Sequence, residues 1–121
     1  MFLATVNKSK RLLHLSYIGD VRLEELQRGF DDVALLLTDL KPGFSVLTDL
    51  SHLNSVGLDC VGEIGKLMEL CDRGGVELIV RVIPDPTKDI GLGIFSLFHY
   101  QHRPRTVTCE SMAEAGRALE L

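Results

Sequence analysis

The stretch FSVLTDLSHLNSVGLDCVGEIGKLMELCDRGGVELIVRVI, residues 44–83, decides the fold. It opens with a dense apolar run, Phe44–Leu50, which is typical of a β-strand covered on both faces. A polar loop is predicted over Ser51–Ser55. Apolar residues then recur at three- and four-residue steps from Leu58 to Arg73 and indicate a helix. Val76–Ile83 is predicted as the next buried strand, so the stretch reads as a β-α-β unit.

The flanking segments extend this alternation of strands and helices. Before the stretch, the sequence predicts two strands that form a hairpin and then one helix: Phe2–Val6, Arg11–Ile18 and Leu23–Leu40. After it, the sequence predicts a helix from Thr87 or Lys88 to His99, a strand Arg105–Cys109, and a last helix capped by Ser111 with Glu114 three residues later. The order ββαβαβαβα predicts one α/β domain over residues 1–121, with a mostly parallel central sheet flanked by helices.

Composition disfavours several classes of function. The chain has 121 residues, an apolar fraction of 45% and a net charge of −4. Since phosphate contacts need a basic surface, nucleic acid is not expected as a partner. No apolar stretch approaches the roughly 20 residues of a membrane span, and the first apolar run is too short for a signal peptide. A cytoplasmic protein without a membrane partner is therefore expected.

The cysteines and histidines form no metal or redox motif. Cys60, Cys71 and Cys109 lack a Cys-x-x-Cys spacing, so neither a disulfide framework nor a zinc site is expected. His99 and His102 stand about one helical turn apart, but no third ligand is evident. No glycine-rich nucleotide motif is present, and no cofactor is expected. One enzymatic alternative stays open, in which Cys60 near the start of the second helix is a nucleophile whose pKa the helix dipole lowers.

The order of elements resembles the STAS family, named for sulfate transporters and anti-sigma-factor antagonists. The best-matching stretch is Val46-Leu47-Thr48-Asp49-Leu50-Ser51, then a loop and a helix, then Arg73-Gly74-Gly75-Val76-Glu77-Leu78. The segment Ser111-Met112-Ala113-Glu114-Ala115 is similar as well. The resemblance covers nearly the whole chain. It implies a non-catalytic regulatory domain that docks a kinase-like or anti-sigma-like protein through the loop and the start of the second helix.

The regulatory switch of that family is a phosphorylated serine or threonine at the start of this helix, in an acidic-Ser-Ser/Thr-Gly motif. A phosphate there would meet free N–H groups and the positive end of the helix dipole. A gapless match from Asp49 to Gly75 puts Gly57-Leu58-Asp59-Cys60 at the motif, and the phosphoacceptor is then lost. A local match puts Asn54-Ser55-Val56-Gly57 there and makes Ser55 the phosphoacceptor, with a two-residue shift on both sides. Helix length and strand register favour the gapless match.

A second function is open, namely binding of a small ligand at the carboxyl ends of the parallel strands. Polar residues are expected to meet there as a partner- or ligand-binding site: Asp49, Ser51, His52, Asn54, Ser55, Arg81, Asp85 and Lys88. The alternative is that they solvate loops and cap helices. Arg81 interrupts an apolar strand. It is either buried and paired with Asp49 or Asp85, or it faces solvent at a strand end.

The segment Phe95-Ser-Leu-Phe-His-Tyr100 is the aromatic cluster of the chain. Part of it is expected to pack on the sheet. The remainder fits a hydrophobic surface for a partner or for a homodimer.

Overall fold

The computed structural model describes residues 1–85 and 100–120. The strands are β1 (Phe2–Asn7), β2 (Leu12–Val21), β3 (Ser45–Val56), β4 (Leu78–Val82) and β5 (Arg105–Cys109). The helices are α1 (Leu23–Leu37), α2 (Val61–Gly74) and α3 (Met112–Ala118), and a 3-10 turn, Leu58–Cys60, precedes α2. The helix predicted from Thr87 or Lys88 to His99 lies outside the described residues, and so does most of the aromatic cluster.

The five strands form one sheet in the order β1-β2-β3-β4-β5. β1 and β2 form an antiparallel hairpin, and the four strands from β2 to β5 run parallel to one another. The hairpin turn is closed by Asn7, whose Oδ1 accepts a hydrogen bond from the Lys10 N–H at 3.1 Å. The predicted fold class, α/β with a mostly parallel sheet, is confirmed.

Alternation along β2 separates two cores on the two faces of the sheet. Leu13, Leu15 and Tyr17 belong to the larger core, which α1 and α2 cover. Leu12 belongs to the smaller core, which the buried Ala115 of α3 covers. The functional site is built on the face of α1 and α2.

Helix α1 approaches the hairpin closely at Gly29. A Cβ atom at this position would overlap the ring of Phe2. That ring packs edge-on against Tyr17, with ring centroids 5.0 Å apart and an interplanar angle of 70°. The helix ends at Leu37 instead of the predicted Leu40, because the next three N–H groups bond to carbonyls three residues back and tighten the chain.

Strand β3 is longer than predicted. The sequence indicated a strand that ends at Leu50 and a polar loop over Ser51–Ser55, whereas the strand continues to Val56. It continues because β2 also extends beyond Ile18 and pairs with it, through two register shifts, as far as Val21 and Val56. The loop prediction was therefore wrong, and these polar residues stand on the sheet.

The end of α2 is fixed by Gly75 and Asp72. Gly75 has a φ of 93°, a left-handed conformation that suits glycine, and its N–H closes the helix, which confirms the predicted helix end. The Asp72 carboxylate, only 5% exposed, accepts hydrogen bonds from the N–H groups of Gln101 and His102, both at 3.2 Å. It also contacts His102 Nδ1 at 3.1 Å. Asp72 thus ties the segment before β5 to α2 and helps to place the adjacent Tyr100.

Candidate functional site

A cavity of about 390 Å³ lies between α2 and the carboxyl ends of the parallel strands. Its described lining comes from β2, β3, the 3-10 turn, α2, β4 and β5, and from Ile83 and Tyr100. Most of these lining residues are apolar, among them Leu50, Leu53, Ile64, Met68 and Ile83. The position agrees with the general rule that open α/β sheets bind ligands beyond the carboxyl ends of their strands.

Among the described residues that line this cavity, one carries a charge, namely Arg81. Because side chains alternate along β4, Arg81 shares a face with Ile79 and Ile83, while Val80 and Val82 face the α3 core. The Arg81 side chain is only 9% exposed. The register places it opposite Thr48 of β3, another residue of the cavity wall. A guanidinium therefore reaches a mostly apolar cavity from the sheet.

The other titratable groups in the described lining are uncharged at neutral pH. Burial raises the pKa of Tyr17, and it also raises the pKa of Tyr100 well above the ordinary value for a tyrosine. Burial, with the nearby Asp72 carboxylate as a second cause, raises the pKa of the Cys71 thiol to about 12. These groups offer the cavity neutral hydroxyls and a neutral thiol, so they add no charge to that of Arg81.

The mouth of the cavity carries a hydrogen-bonded polar cluster from β2 and β3. Oδ1 of Asp20 accepts hydrogen bonds from the hydroxyl of Ser55 at 2.6 Å and from the amide of Asn54 at 2.7 Å. These two bonds, that of Ser55 first, lower the pKa of Asp20. The cluster is exposed; Asp20 and Ser55 are paired in the β2–β3 register, and Asn54 lies between them at the register shift.

The start of α2 presents two apolar side chains to solvent. Leu58, in the 3-10 turn, is 92% exposed, and Val61, in the first turn of α2, is 43% exposed. Both also line the mouth of the cavity. Gly57 is the N-cap of the 3-10 turn, and no serine, threonine or tyrosine occurs from Gly57 to Cys71.

Cys60 does not have the surroundings of a catalytic thiol. Its side chain is buried in the core, and its single S–H has two acceptors within reach, the Val21 carbonyl at 3.8 Å and Asp59 Oδ1 at 3.7 Å. Burial, followed by the charge of Asp59, raises the pKa of this thiol. The prediction that the helix dipole lowers the pKa of Cys60 is wrong, because desolvation and the adjacent carboxylate both disfavour the thiolate.

The predicted site residues divide into groups. Asn54, Ser55 and Arg81 line the cavity. Asp49 and Ser51 instead bond to each other, with Asp49 Oδ1 accepting from the Ser51 N–H at 2.9 Å and hydroxyl at 2.6 Å. The remaining residues are His52, which is exposed on β3, Asp85, which is exposed after β4, and Lys88, which lies outside the described residues.

The proposed pairing of Arg81 with Asp49 does not fit the register. Asp49 stands opposite Val82, whereas Arg81 stands opposite Thr48. Because neighbouring residues in a strand point to opposite faces, Asp49 lies on the α3 face and Arg81 on the cavity face. Arg81 itself is buried, which is one of the two alternatives that the sequence left open.

Sequence reasoning missed Asp20 and the two tyrosines of the cavity. Asp20 lies beyond the predicted strand end at Ile18, although its carboxylate accepts hydrogen bonds from both Asn54 and Ser55. A signal was present for Tyr17, whose alternation with Leu13 and Leu15 places it on the inner face. No signal in the sequence joins Asp20 to residues of β3, because the register that brings them together contains two irregularities.

Within residues 1–85 and 100–120, no group of three or more histidine, cysteine or acidic side chains is arranged to hold a metal ion. The spacing of His99 and His102 is not tested, since His99 is not described, and His102 bonds to Asp72. None of the helices in the same part of the chain is long and apolar enough to cross a bilayer.

Comparison with solved structures identifies the fold. An uncharacterised protein of the DUF3478 family from Shewanella loihica, with a SpoIIAA-like fold, superposes with a TM-score of 0.75 at 12% identity, over 98% of this chain and 92% of the other. The protein has a SpoIIAA-like, STAS-type fold. The anti-sigma factor antagonist SpoIIAA in its unphosphorylated form superposes on this chain with a TM-score of 0.65 at 13% identity. The match covers 99% of this chain and 98% of SpoIIAA.

An anti-sigma factor antagonist from Mycobacterium paratuberculosis gives a TM-score of 0.62 at 13% identity, over 100% of this chain and 94% of the other. No family model matches the sequence, and no curated protein matches it. The resemblance to the STAS family that the order of elements predicted is thus confirmed at the level of the fold.

Proposed function

We propose that this protein is a non-catalytic regulatory domain that docks a protein partner through the start of α2. We call the surface formed by Asp20, Asn54, Ser55, Leu58 and Val61 the docking surface. The observation that carries the proposal is the exposure of Leu58 at 92%, beside Val61, at the first turn of this helix. Single exposed apolar residues are common, but two on one turn beside an open apolar cavity provide the centre of an interface.

The fold supports a protein partner. Two of the similar solved structures are described as anti-sigma factor antagonists, which are regulatory proteins. A partner of the kinase-like or anti-sigma-like type is the corresponding proposal for this chain. The three buried cysteines, with raised thiol pKa values, support a role without covalent catalysis.

We further propose that docking does not require phosphorylation of Ser55. This residue lies in β3, two positions before Gly57, and its hydroxyl donates to the Asp20 carboxylate at 2.6 Å. A phosphate there would place nearly two negative charges against that carboxylate, outside the first turn of the helix. The gapless alignment, in which the phosphoacceptor is lost, accords with the absence of hydroxyl side chains from Gly57 to Cys71.

The test is a quantitative affinity capture with three baits, followed by mass spectrometry. The baits are the wild type, Leu58→Lys in the docking surface, and Leu35→Lys, a matched control on α1 where the side chain is 71% exposed. We expect a captured protein whose recovery falls at least tenfold with Leu58→Lys and less than twofold with Leu35→Lys, since losing a central hot-spot contact costs about 2 kcal/mol or more. Equal recovery with all three baits would contradict docking through this surface.

The cavity favours a second candidate function, the binding of a small ligand at the carboxyl ends of the strands. Its volume of about 390 Å³ falls within the usual range of ligand pockets, roughly 300–1,000 Å³. It also has the usual composition of such pockets, an apolar wall with a few polar groups.

Homodimer formation through the aromatic cluster stays a prediction.

A further inference from the structure

We propose that the cavity binds a small, neutral and mostly apolar molecule with one carbonyl oxygen, which accepts a hydrogen bond from the hydroxyl of Tyr17. The proposal rests on the second candidate function, the binding of a small ligand, and names the chemical class of that ligand. It depends on the combination of apolar walls with a buried phenol whose hydroxyl has no hydrogen-bond partner within residues 1–85 and 100–120.

The hydroxyl of Tyr17 is the group that the ligand would contact. Tyr17 stands on the inner face of β2, lines the cavity and is only 5% exposed. Its ring packs edge-on against Phe2, but no residue in the described part of the chain forms a hydrogen bond with its hydroxyl. Buried tyrosine hydroxyls usually have a partner, because a buried donor without one destabilises the fold. The wall of the cavity therefore holds a donor that a ligand can use.

Tyr17 belongs to a small group of uncharged polar side chains in the cavity. Burial, then the neighbouring thiols of Cys71 and Cys60, raise the pKa of Tyr17. Burial, then Cys71 and Tyr17, raise the pKa of Tyr100 in the same direction. Because Tyr17, Tyr100 and Cys71 influence one another and all line the cavity, they lie near each other on its wall. At neutral pH this group offers a ligand hydrogen bonds without a charge.

The same surroundings favour a neutral ligand. The described lining contains no acidic residue that could pair with a cation. Arg81 already interacts within the protein, so it is not counted as a free counter-charge for an anion. An ion that is buried without a paired counter-charge is costly, whereas a carbonyl exchanges its hydrogen bond to water for one to Tyr17.

The size and polarity of the remaining part of the ligand follow from the walls. Leu50 and Leu53 of β3 and Ile64 and Met68 of α2 line the cavity, so the ligand has a mostly apolar body. Methionine adapts to irregular apolar shapes, so this wall tolerates different bodies. The volume of about 390 Å³ stands near the lower end of the range for ligand pockets, which suits a small molecule.

The test uses three probes that share a phenyl ring and a short alkyl chain. Butyrophenone carries the carbonyl, butylbenzene has a methylene in its place, and 4-phenylbutyrate carries a negative charge. Each probe is titrated into the wild-type protein while the backbone amide signals are followed by NMR spectroscopy. We expect butyrophenone to occupy one site per chain and to shift the signals of residues that line the cavity. We expect 4-phenylbutyrate to bind at least about tenfold more weakly, because its charge would be buried without a counter-charge.

Two tyrosine variants complete the test. Tyr17→Phe removes one oxygen and keeps the ring, and Tyr100→Phe, the matched control, removes the same atom from the second phenol of the cavity. In Tyr17→Phe the affinity for butyrophenone should fall roughly fivefold, the usual net contribution of a neutral hydrogen bond, while the affinity for butylbenzene should stay within about twofold or rise. Tyr100→Phe should change the affinity for butyrophenone by less than about twofold. Urea unfolding is the independent readout: the midpoint of Tyr17→Phe should equal or exceed that of the wild type, because the hydroxyl has no partner in the described chain.

The outcomes separate the ligand class from the proposed functions. Binding of 4-phenylbutyrate as tight as that of butyrophenone would overturn the neutral class and leave small-ligand binding in place. A loss of butyrophenone affinity in Tyr100→Phe alone, or a lower unfolding midpoint for Tyr17→Phe, would overturn the role of the Tyr17 hydroxyl. Failure of all three probes to bind would overturn the proposed ligand class, while the Leu58→Lys capture experiment tests partner docking independently.

Discussion

Replacing Gly29 by alanine should destabilise the fold, although alanine is the better helix former. In the interior of an exposed helix this change gains about 1 kcal/mol. Here the new Cβ would overlap Cδ1 and Cε1 of the Phe2 ring. Overpacking of this kind costs about 1–3 kcal/mol. Displacing the ring also disturbs its edge-on contact with Tyr17, and such contacts contribute about 0.5–1.5 kcal/mol.

The unfavourable effects together exceed the gain in helix propensity, and we expect a net loss of about 2 kcal/mol. For a chain of this size, the melting temperature should fall by roughly 8 °C. Thermal and urea unfolding followed by circular dichroism would measure both quantities. The matched control is Gly116→Ala in α3, where a Cβ would meet no atom within 4 Å. The control should leave stability unchanged or raise it by up to about 1 kcal/mol.

A double variant identifies the cause. Phe2→Leu removes the ring that the new Cβ would meet, so Gly29→Ala should cost at least about 1 kcal/mol less in that background. A Gly29→Ala protein as stable as the wild type would refute the close approach of α1 to the hairpin. An equal cost in both backgrounds would show that the ring of Phe2 is not the obstacle.

Two further predictions concern residues that the site depends on. Asp72→Ala should lower the free energy of unfolding by about 2 kcal/mol, because a buried charged acceptor for the N–H groups of Gln101 and His102 is lost; urea unfolding measures this, and a change under 0.5 kcal/mol would contradict the role of Asp72. Native protein treated with iodoacetamide at neutral pH should label at Cys60 at least roughly 100-fold more slowly than in denaturant, because a local opening of about 3 kcal/mol must come first. Rapid native labelling confined to Cys60 would instead restore the reactive-thiol alternative.

The features that sequence predicted correctly are those with a short-range cause. The alternation of Leu13, Leu15 and Tyr17 places one face of β2 inside, since the period of a strand is fixed by its backbone. The end of α2 follows from two glycines, one of which takes the left-handed conformation. Ser111 caps α3 by accepting from the Glu114 N–H at 3.2 Å, as the spacing of the two residues indicated.

The errors share a long-range cause. Polar residues from Ser51 to Ser55 are common in loops, and no local pattern shows that β2 continues beside them. Two of these side chains, Asn54 and Ser55, bond to Asp20, which precedes them by 34 and 35 residues in the sequence. Likewise, the position of Cys60 at a helix start favoured a lowered pKa, but the packing of its thiol beneath β2 decides the opposite direction.

The correction to β3 bears directly on function. A polar loop would have to be ordered when a partner binds, and each side chain that is immobilised costs about 0.5–1.5 kcal/mol. Asn54 and Ser55 are instead bonded to Asp20 on paired strands before any partner arrives. Leu58 follows in the 3-10 turn and Val61 at the start of α2, whose Ile64, Leu67 and Cys71 belong to the larger core. The polar side of the proposed docking surface is therefore held by hydrogen bonds before a partner binds, and Leu58 and Val61 at the edge of the cavity supply its apolar side.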